Sequence, residues 1–169
     1  TTRVFGNAQI YDDAEVIDYA KVFDNAKVRG YACVYGYAIV YDDACVYSNA
    51  SVSGNAAIKD NAHVFGYAQV YGNVEVSGNA MIGDGAEIHN NAHVFGSAHV
   101  SGNAKVFGNA KVTGNAYVYG KAHVYGVAIL EGDVNISNGT INDDIGGEIT
   151  MNASTANIFG NAIVCGDAW

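Results

Sequence analysis

The stretch Val94-Phe-Gly-Ser-Ala98-His-Val100-Ser-Gly-Asn-Ala104-Lys-Val106-Phe-Gly-Asn-Ala110-Lys decides the fold: an aliphatic residue recurs every six positions, each followed four residues later by alanine. In both directions the period holds without a miss, from Val4 to Ile136, 23 positions in all, which makes it a structural repeat and not an accident of composition. Alanine follows in 20 of 22 cases, with Val74 and Val134 as the exceptions. The two positions ahead of it are Gly or Asp (20 of 22) and then Asn, Asp or Gly (15 of 22), so the repeat has a second constant part.

Extended chain turns alternate side chains the same way. In Ala56-Ala-Ile-Lys-Asp-Asn61, Ala56 and Ile58 therefore point inward together while Ala57 and Lys59 point outward. The next two residues cannot continue the strand. Gly lacks a Cβ, and Asn or Asp hydrogen-bonds locally, so this pair tolerates the left-handed backbone of a sharp corner. A helix is excluded, because a spacing of six keeps no stripe on a 3.6-residue period and Val, Asn and Gly are poor helix formers. Strand and corner every six residues predict a parallel β-helix, each strand pairing with its equivalent one coil away.

Val64-Phe-Gly-Tyr-Ala68-Gln, together with Val94-Phe-Gly-Ser-Ala98-His and Val106-Phe-Gly-Asn-Ala110-Lys, resembles the hexapeptide-repeat family, in the acyltransferase-like superfamily. Its motif is an aliphatic residue, three variable ones, a small one and one more. The resemblance covers residues 4 to 136 and 158 to 168. It implies an all-β, single-stranded, left-handed parallel β-helix, a triangular solenoid with three hexads per 18-residue coil. At ~4.8 Å per coil the regular part would be a prism roughly 35 Å long. The family often places Gly after the aliphatic residue; here that slot is usually Phe, Tyr or Ser, a departure of the outer surface.

The organisation read from this period is a regular β-helix over 1–136, a register break over 137–157 and a resumed repeat over 158–169. Ile136 and Ile158 stand 22 residues apart, one coil of 18 and four more. Ile141, Ile145, Ile149 and Met151 suggest that part of the break still packs, as a degenerate coil. The other reading is an extruded loop, which the family's acyltransferases use to line a substrate site, although this segment has no His, Lys or Arg. The Asn-x-Ser/Thr sequons at Asn135, Asn138 and Asn152 are read as accidents of an Asn-rich chain. Neither end is capped by polar residues, so the expectation is a piece of a longer repeat or end-to-end stacking.

Composition narrows the partners. A net charge of −9, with eight scattered basic residues, argues against nucleic acid, which demands Lys and Arg to displace counterions. No apolar run approaches the span of a bilayer and no leader pattern opens the chain, so a soluble protein of unknown compartment is expected. Cys33, Cys45 and Cys165 follow no zinc or disulfide spacing. No metal or cofactor is implied by the residues themselves.

Five histidines, His63, His89, His93, His99 and His123, occupy outward slots. The family's acyltransferases use a surface histidine as general base, with acyl-coenzyme A lying between subunits of a trimer. Under that reading the candidates are His89 and His93, which flank one corner, with Glu87 beside His89 and Glu75 one coil from His93. The γ-carbonic anhydrases share the fold and take zinc from three His, a spacing that His89, His93 and His99 do not reproduce. An ice-binding face would need a Thr ladder, and Thr113 is almost alone in its column.

Aromatic residues are the stronger signal. The slot after the aliphatic residue holds Phe5, Tyr11, Phe23, Tyr35, Tyr41, Tyr47, Phe65, Tyr71, Phe95, Phe107, Tyr119, Tyr125 and Phe159. An 18-residue stride distributes them over all three faces. They suit strands and stack as ladders, and exposed aromatic area also marks interfaces. Tyr11, Phe23, Tyr35, Tyr41, Tyr47, Phe65 and Tyr71 are the expected partner surface, for another copy, a neighbouring protein or a glycan. Tyr19, Tyr31, Tyr37 and Tyr67 take the second corner position where Asn is expected, which implies backbone strain there. The expectation is a non-catalytic structural or interaction solenoid, a laterally associated trimer or an end-to-end stack, as a segment of a fibre, spike or filament. The acyltransferase is the alternative.

Overall fold

In the computed structural model, which describes residues 1–142, 150–159 and 163–165, the described residues form strands and corners and no helix. Two-residue strands begin every six residues, from Arg3–Val4 to Lys111–Val112. Each pairs in parallel with the strand 18 residues later: Arg3 with Lys21, Gln9 with Lys27, Glu15 with Cys33. Three strands thus make one coil and three parallel faces. The first face runs through Arg3, Lys21, Ile39, Ala57, Glu75, His93 and Lys111. The second begins at Gln9 and the third at Glu15. The β-solenoid with an 18-residue coil expected from the period is the architecture observed.

Each face gives the core two columns, Val, Ile or Leu in one and mostly Ala in the other, and from Ala20 to Leu130 these side chains are 0–1 % exposed. Each buried Val or Ile contributes roughly 1.5–3 kcal/mol, and β-branching suits the pleated wall. Alanine fits where two faces converge at a corner. Between coils, three N–H groups per hexad donate along the axis, as with His63 to Ala80 O (2.9 Å), Phe65 to Ile82 O (2.8 Å) and Tyr67 to Asp84 O (2.5 Å). The second corner residue thus shares in the axial ladder with the strand.

Only the first corner residue is left-handed. Every such position from Gly6 to Asn138 has a positive φ, between 53° and 89°. Gly at this slot lets coils approach closely: a Cβ on Gly54 would lie 2.7 Å from the N of Gly72. Asp does something else there. Asp12, Asp18, Asp42, Asp60 and Asp84 each accept a hydrogen bond from the backbone N–H one coil on, at 2.8–3.3 Å.

The strain expected at Tyr19, Tyr31, Tyr37 and Tyr67 is absent. None has a positive φ, because the turn is completed one residue earlier and the second position accommodates a Cβ. Asn is common there for another reason: its amides form ladders along the axis, Asn55 to Asn73 (3.0 Å), Asn73 to Asn91 and Asn91 to Asn109 (both 3.2 Å).

The described strands within and after the break remain paired with the preceding coils, at altered offsets. Ile141 is buried and pairs with Val124, only 17 residues back. Thr150 pairs with Ile129, 21 residues back, and a bulge between Gly132 and Val134 lengthens the next offset to 22. Thr140–Asn142, Thr150–Phe159 and Ile163–Cys165 all stay on the ladders. The long strand Ile129–Ser137 runs through what would be a corner and joins two faces into one sheet. Ile145 and Ile149 lie outside the described residues, as do the side chains of Met151 and Phe159.

Candidate functional site

Each strand offers two outward side chains, one before and one after the buried aliphatic residue, so the surface is a set of vertical columns. On the first face the column before it contains Glu75, His93 and Lys111 in register. Lys59, diagonally placed one coil earlier, holds Glu75 at 2.7 Å, while His93 Nδ1 lies 3.8 Å from the other carboxylate oxygen. The hydrogen bond to Glu75 holds the Lys59 ammonium above its ordinary pKa. The expected Glu75–His93 neighbourhood thus exists, with the carboxylate already engaged by a lysine. Glu75, Ser77, His93, Phe95 and Lys111 line a shallow groove of about 380 Å³.

His89 belongs to the third face, across the Asn90–Asn91 corner from His93. Its imidazole is sandwiched between Tyr71 (ring centroids 5.0 Å) and Phe107 (4.9 Å), and Phe107 stacks on Tyr125 (4.7 Å). A four-ring column results. Counting 18 from Tyr71 lands on His89, so the stride itself places the imidazole in this column. Nδ1 of His89 is 3.2 Å from Asn90 Oδ1. Glu87 accepts a hydrogen bond from Lys105 at 2.8 Å, which raises the lysine pKa, and so is engaged away from His89. His63 meets the edge of Tyr47 and His99 tilts against Tyr117.

The aromatic columns are stacks. Phe5, Phe23 and Tyr41 lie 4.8 and 5.1 Å apart, Tyr47 and Phe65 5.3 Å, and the corner pair Tyr19 and Tyr37 5.0 Å, all within 12° of parallel. Each contact adds ~0.2–1 kcal/mol to the ladder. Arg29 fills the rung between Tyr11 and Tyr47, its guanidinium 4.6 Å from the Tyr47 centroid. Stacking hides ring faces and presents edges and hydroxyls. Among the described residues Tyr31 and Tyr67 join no stack, and at 68 % and 70 % exposure they present open rings. Tyr35 and Tyr71, in one column, are separated by Ser53. Of the expected partner surface, Phe23, Tyr41, Tyr47 and Phe65 are half-buried rungs, and Tyr11, Tyr35 and Tyr71 are exposed.

A second groove of about 380 Å³ lies at the other end of the first face, lined by Thr1, Arg3, Tyr19, Lys21 and Tyr37. Cys33 and Cys45 sit on different faces as free thiols, and burial pushes both pKa values up, which keeps them protonated and unreactive at neutral pH. Among the described residues no three His, Cys, Asp or Glu side chains are grouped to hold a metal, and no helix is long and apolar enough to cross a membrane. Set against protein-family models, curated proteins and solved structures, the chain finds no match in any of the three comparisons.

Proposed function

We propose that the chain is a non-catalytic structural and interaction solenoid that associates with further copies laterally or end to end, as a segment of a fibre, spike or filament. One observation carries the reading: three of the four side chains singled out for acid–base chemistry, all but His93, are engaged in holding coils together. Glu75 is bound by Lys59, Glu87 by Lys105, and His89 is a rung of a ring stack. Lateral association, with a trimer as the first expectation, is supported by aromatic columns on all three faces. Light scattering and electron microscopy test it: ordered oligomers or filaments are expected, and a strict monomer at high concentration would reject it.

A second reading, a hexapeptide-repeat acyltransferase, has one observation in its favour. His93 stands beside Glu75 and Phe95 over an open groove, an arrangement compatible with a general base. Saturable acetyl-coenzyme A binding, with acetyl transfer that His93→Asn abolishes while binding persists, would favour the enzyme.

A further inference from the structure

The net charge of −9 misdescribes the flat faces. Up to residue 128 every aspartate stands at a corner, five of them hydrogen-bonded to the next coil, and the cations gather on the strands of the first two faces, whereas the third carries Glu15 and Glu87 against Lys105. Up to Thr113 the first face bears Arg3, Lys21, Lys59 and Lys111 against Glu75 alone. Arg3 and Lys21 are direct neighbours in register, and like charges so placed repel. Neither has an ion-pair partner among the described residues. This cationic pair lies in the groove bounded by Tyr19 and Tyr37, which are 54 % and 60 % exposed.

Beyond Tyr37 the same corner column continues as Asn55, Asn73, Asn91 and Asn109, so Tyr37 has an aromatic neighbour on one ring face only, and an amide ladder leads away from the other. About five coils further, roughly 24 Å at the usual rise, the groove holding His93 and Lys111 opens on the same face. A cationic pair, an open ring, a line of amides and a second groove form one track parallel to the axis.

We propose that this first face binds a linear acidic polysaccharide, its carboxylates on Arg3 and Lys21 and its sugar rings against Tyr37, with hydroxyls along the Asn ladder. This rests on reading the chain as an interaction solenoid. Nucleic acid fits less well, because Asp24, Asp42, Asp43 and Asp60 line the far edge and repel a densely charged phosphate backbone, whereas a polyuronate spaces its charges and offers hydroxyls between them.

The test is calorimetric titration of the whole chain with polygalacturonate at low salt, beside neutral dextran and a single-stranded oligothymidylate. Polygalacturonate is expected to bind, and to weaken as salt rises. Arg3→Gln with Lys21→Gln should weaken it by about tenfold, Tyr37→Ala by about threefold, and Lys27→Gln on the second face by less than about twofold. These residues are exposed; should the double variant melt early, Lys21→Glu alone replaces it, with a similar loss expected. No polygalacturonate binding, equal binding of dextran, tighter binding of the oligonucleotide, or an equal loss in Lys27→Gln would each overturn the proposal. Light scattering on the same samples reports self-association separately: a monomer that binds polygalacturonate keeps this site and rejects only the oligomer.

Discussion

From Val4 to Ile136 each hexad turns on one left-handed residue, whereas the described strands between Ser137 and Cys165 stay on those ladders with three departures from six-residue spacing. The first departure is the best described. Asn138 keeps its positive φ, but the second corner residue is missing, and Gly139 stands where alanine would, its carbonyl accepting from His123 N–H. In the regular coils the second corner N–H donates to the next carbonyl; here Lys121 N–H donates to Asn138 Oδ1 (2.8 Å) instead. A side chain has replaced a backbone acceptor. Pairing and inward aliphatic residues therefore set the register, and corner length adapts to them.

This contrast can be broken from either side. The largest effect belongs to the regular coils. Val64→Asp puts a charge between Val46 and Ile82 in a column with no exposure, and should cost more than about 4 kcal/mol. Thermal melting by circular dichroism should show a folding loss that spreads to adjoining coils.

Ile141→Ala comes next and probes the altered coil. If that coil shares the core, the loss is about 2–4 kcal/mol, close to that of Ile82→Ala measured by urea denaturation. A loss below about 0.5 kcal/mol would separate the coil from the core.

Asn138→Ala should cost about 1–2 kcal/mol, through an unpaired Lys121 N–H and an unfavourable positive φ. Asn138→Gly relieves the second term and should lose less, a difference that denaturation of both variants would read.

The smallest effect is alkaline. Cys33, Cys45, Tyr47, Lys59 and Lys105 all have folded pKa values raised above their ordinary ones. A raised folded pKa means that the native state holds its proton more tightly, so stability is complete below the ordinary value and declines as pH rises through the folded one. The decline should begin from about pH 9 with the thiols and continue through the amines. Glu75→Gln should flatten only the upper, lysine part of a melting-temperature profile.

The columns were legible because the inward slots obey one rule: only aliphatic and Ala side chains fit a closed prism, so the period declares itself. The first corner slot was legible too, through its Gly and Asp. The second slot misled, since Asn there was read as a backbone requirement when it builds side-chain ladders, which is why Tyr19 or Tyr67 sits there without strain. The division of the break among three places was not legible, because only strand pairing reveals which corner is short. Among the histidines, the Glu75–His93 register followed from the 18-residue stride, while the competing Lys59 comes from a diagonal slot that counting along one column passes over.

The most direct test is pulsed electron paramagnetic resonance on spin labels along the third face, with native cysteines replaced by serine and labelled chains diluted in unlabelled ones. Gln69 with His123, Glu15 with Lys105 and Glu15 with His123 are three, five and six coils apart by register. At ~4.8 Å per coil, label separations should rise linearly, near 14, 24 and 29 Å. Separations that fail to grow in proportion to coil number would contradict the 18-residue coil.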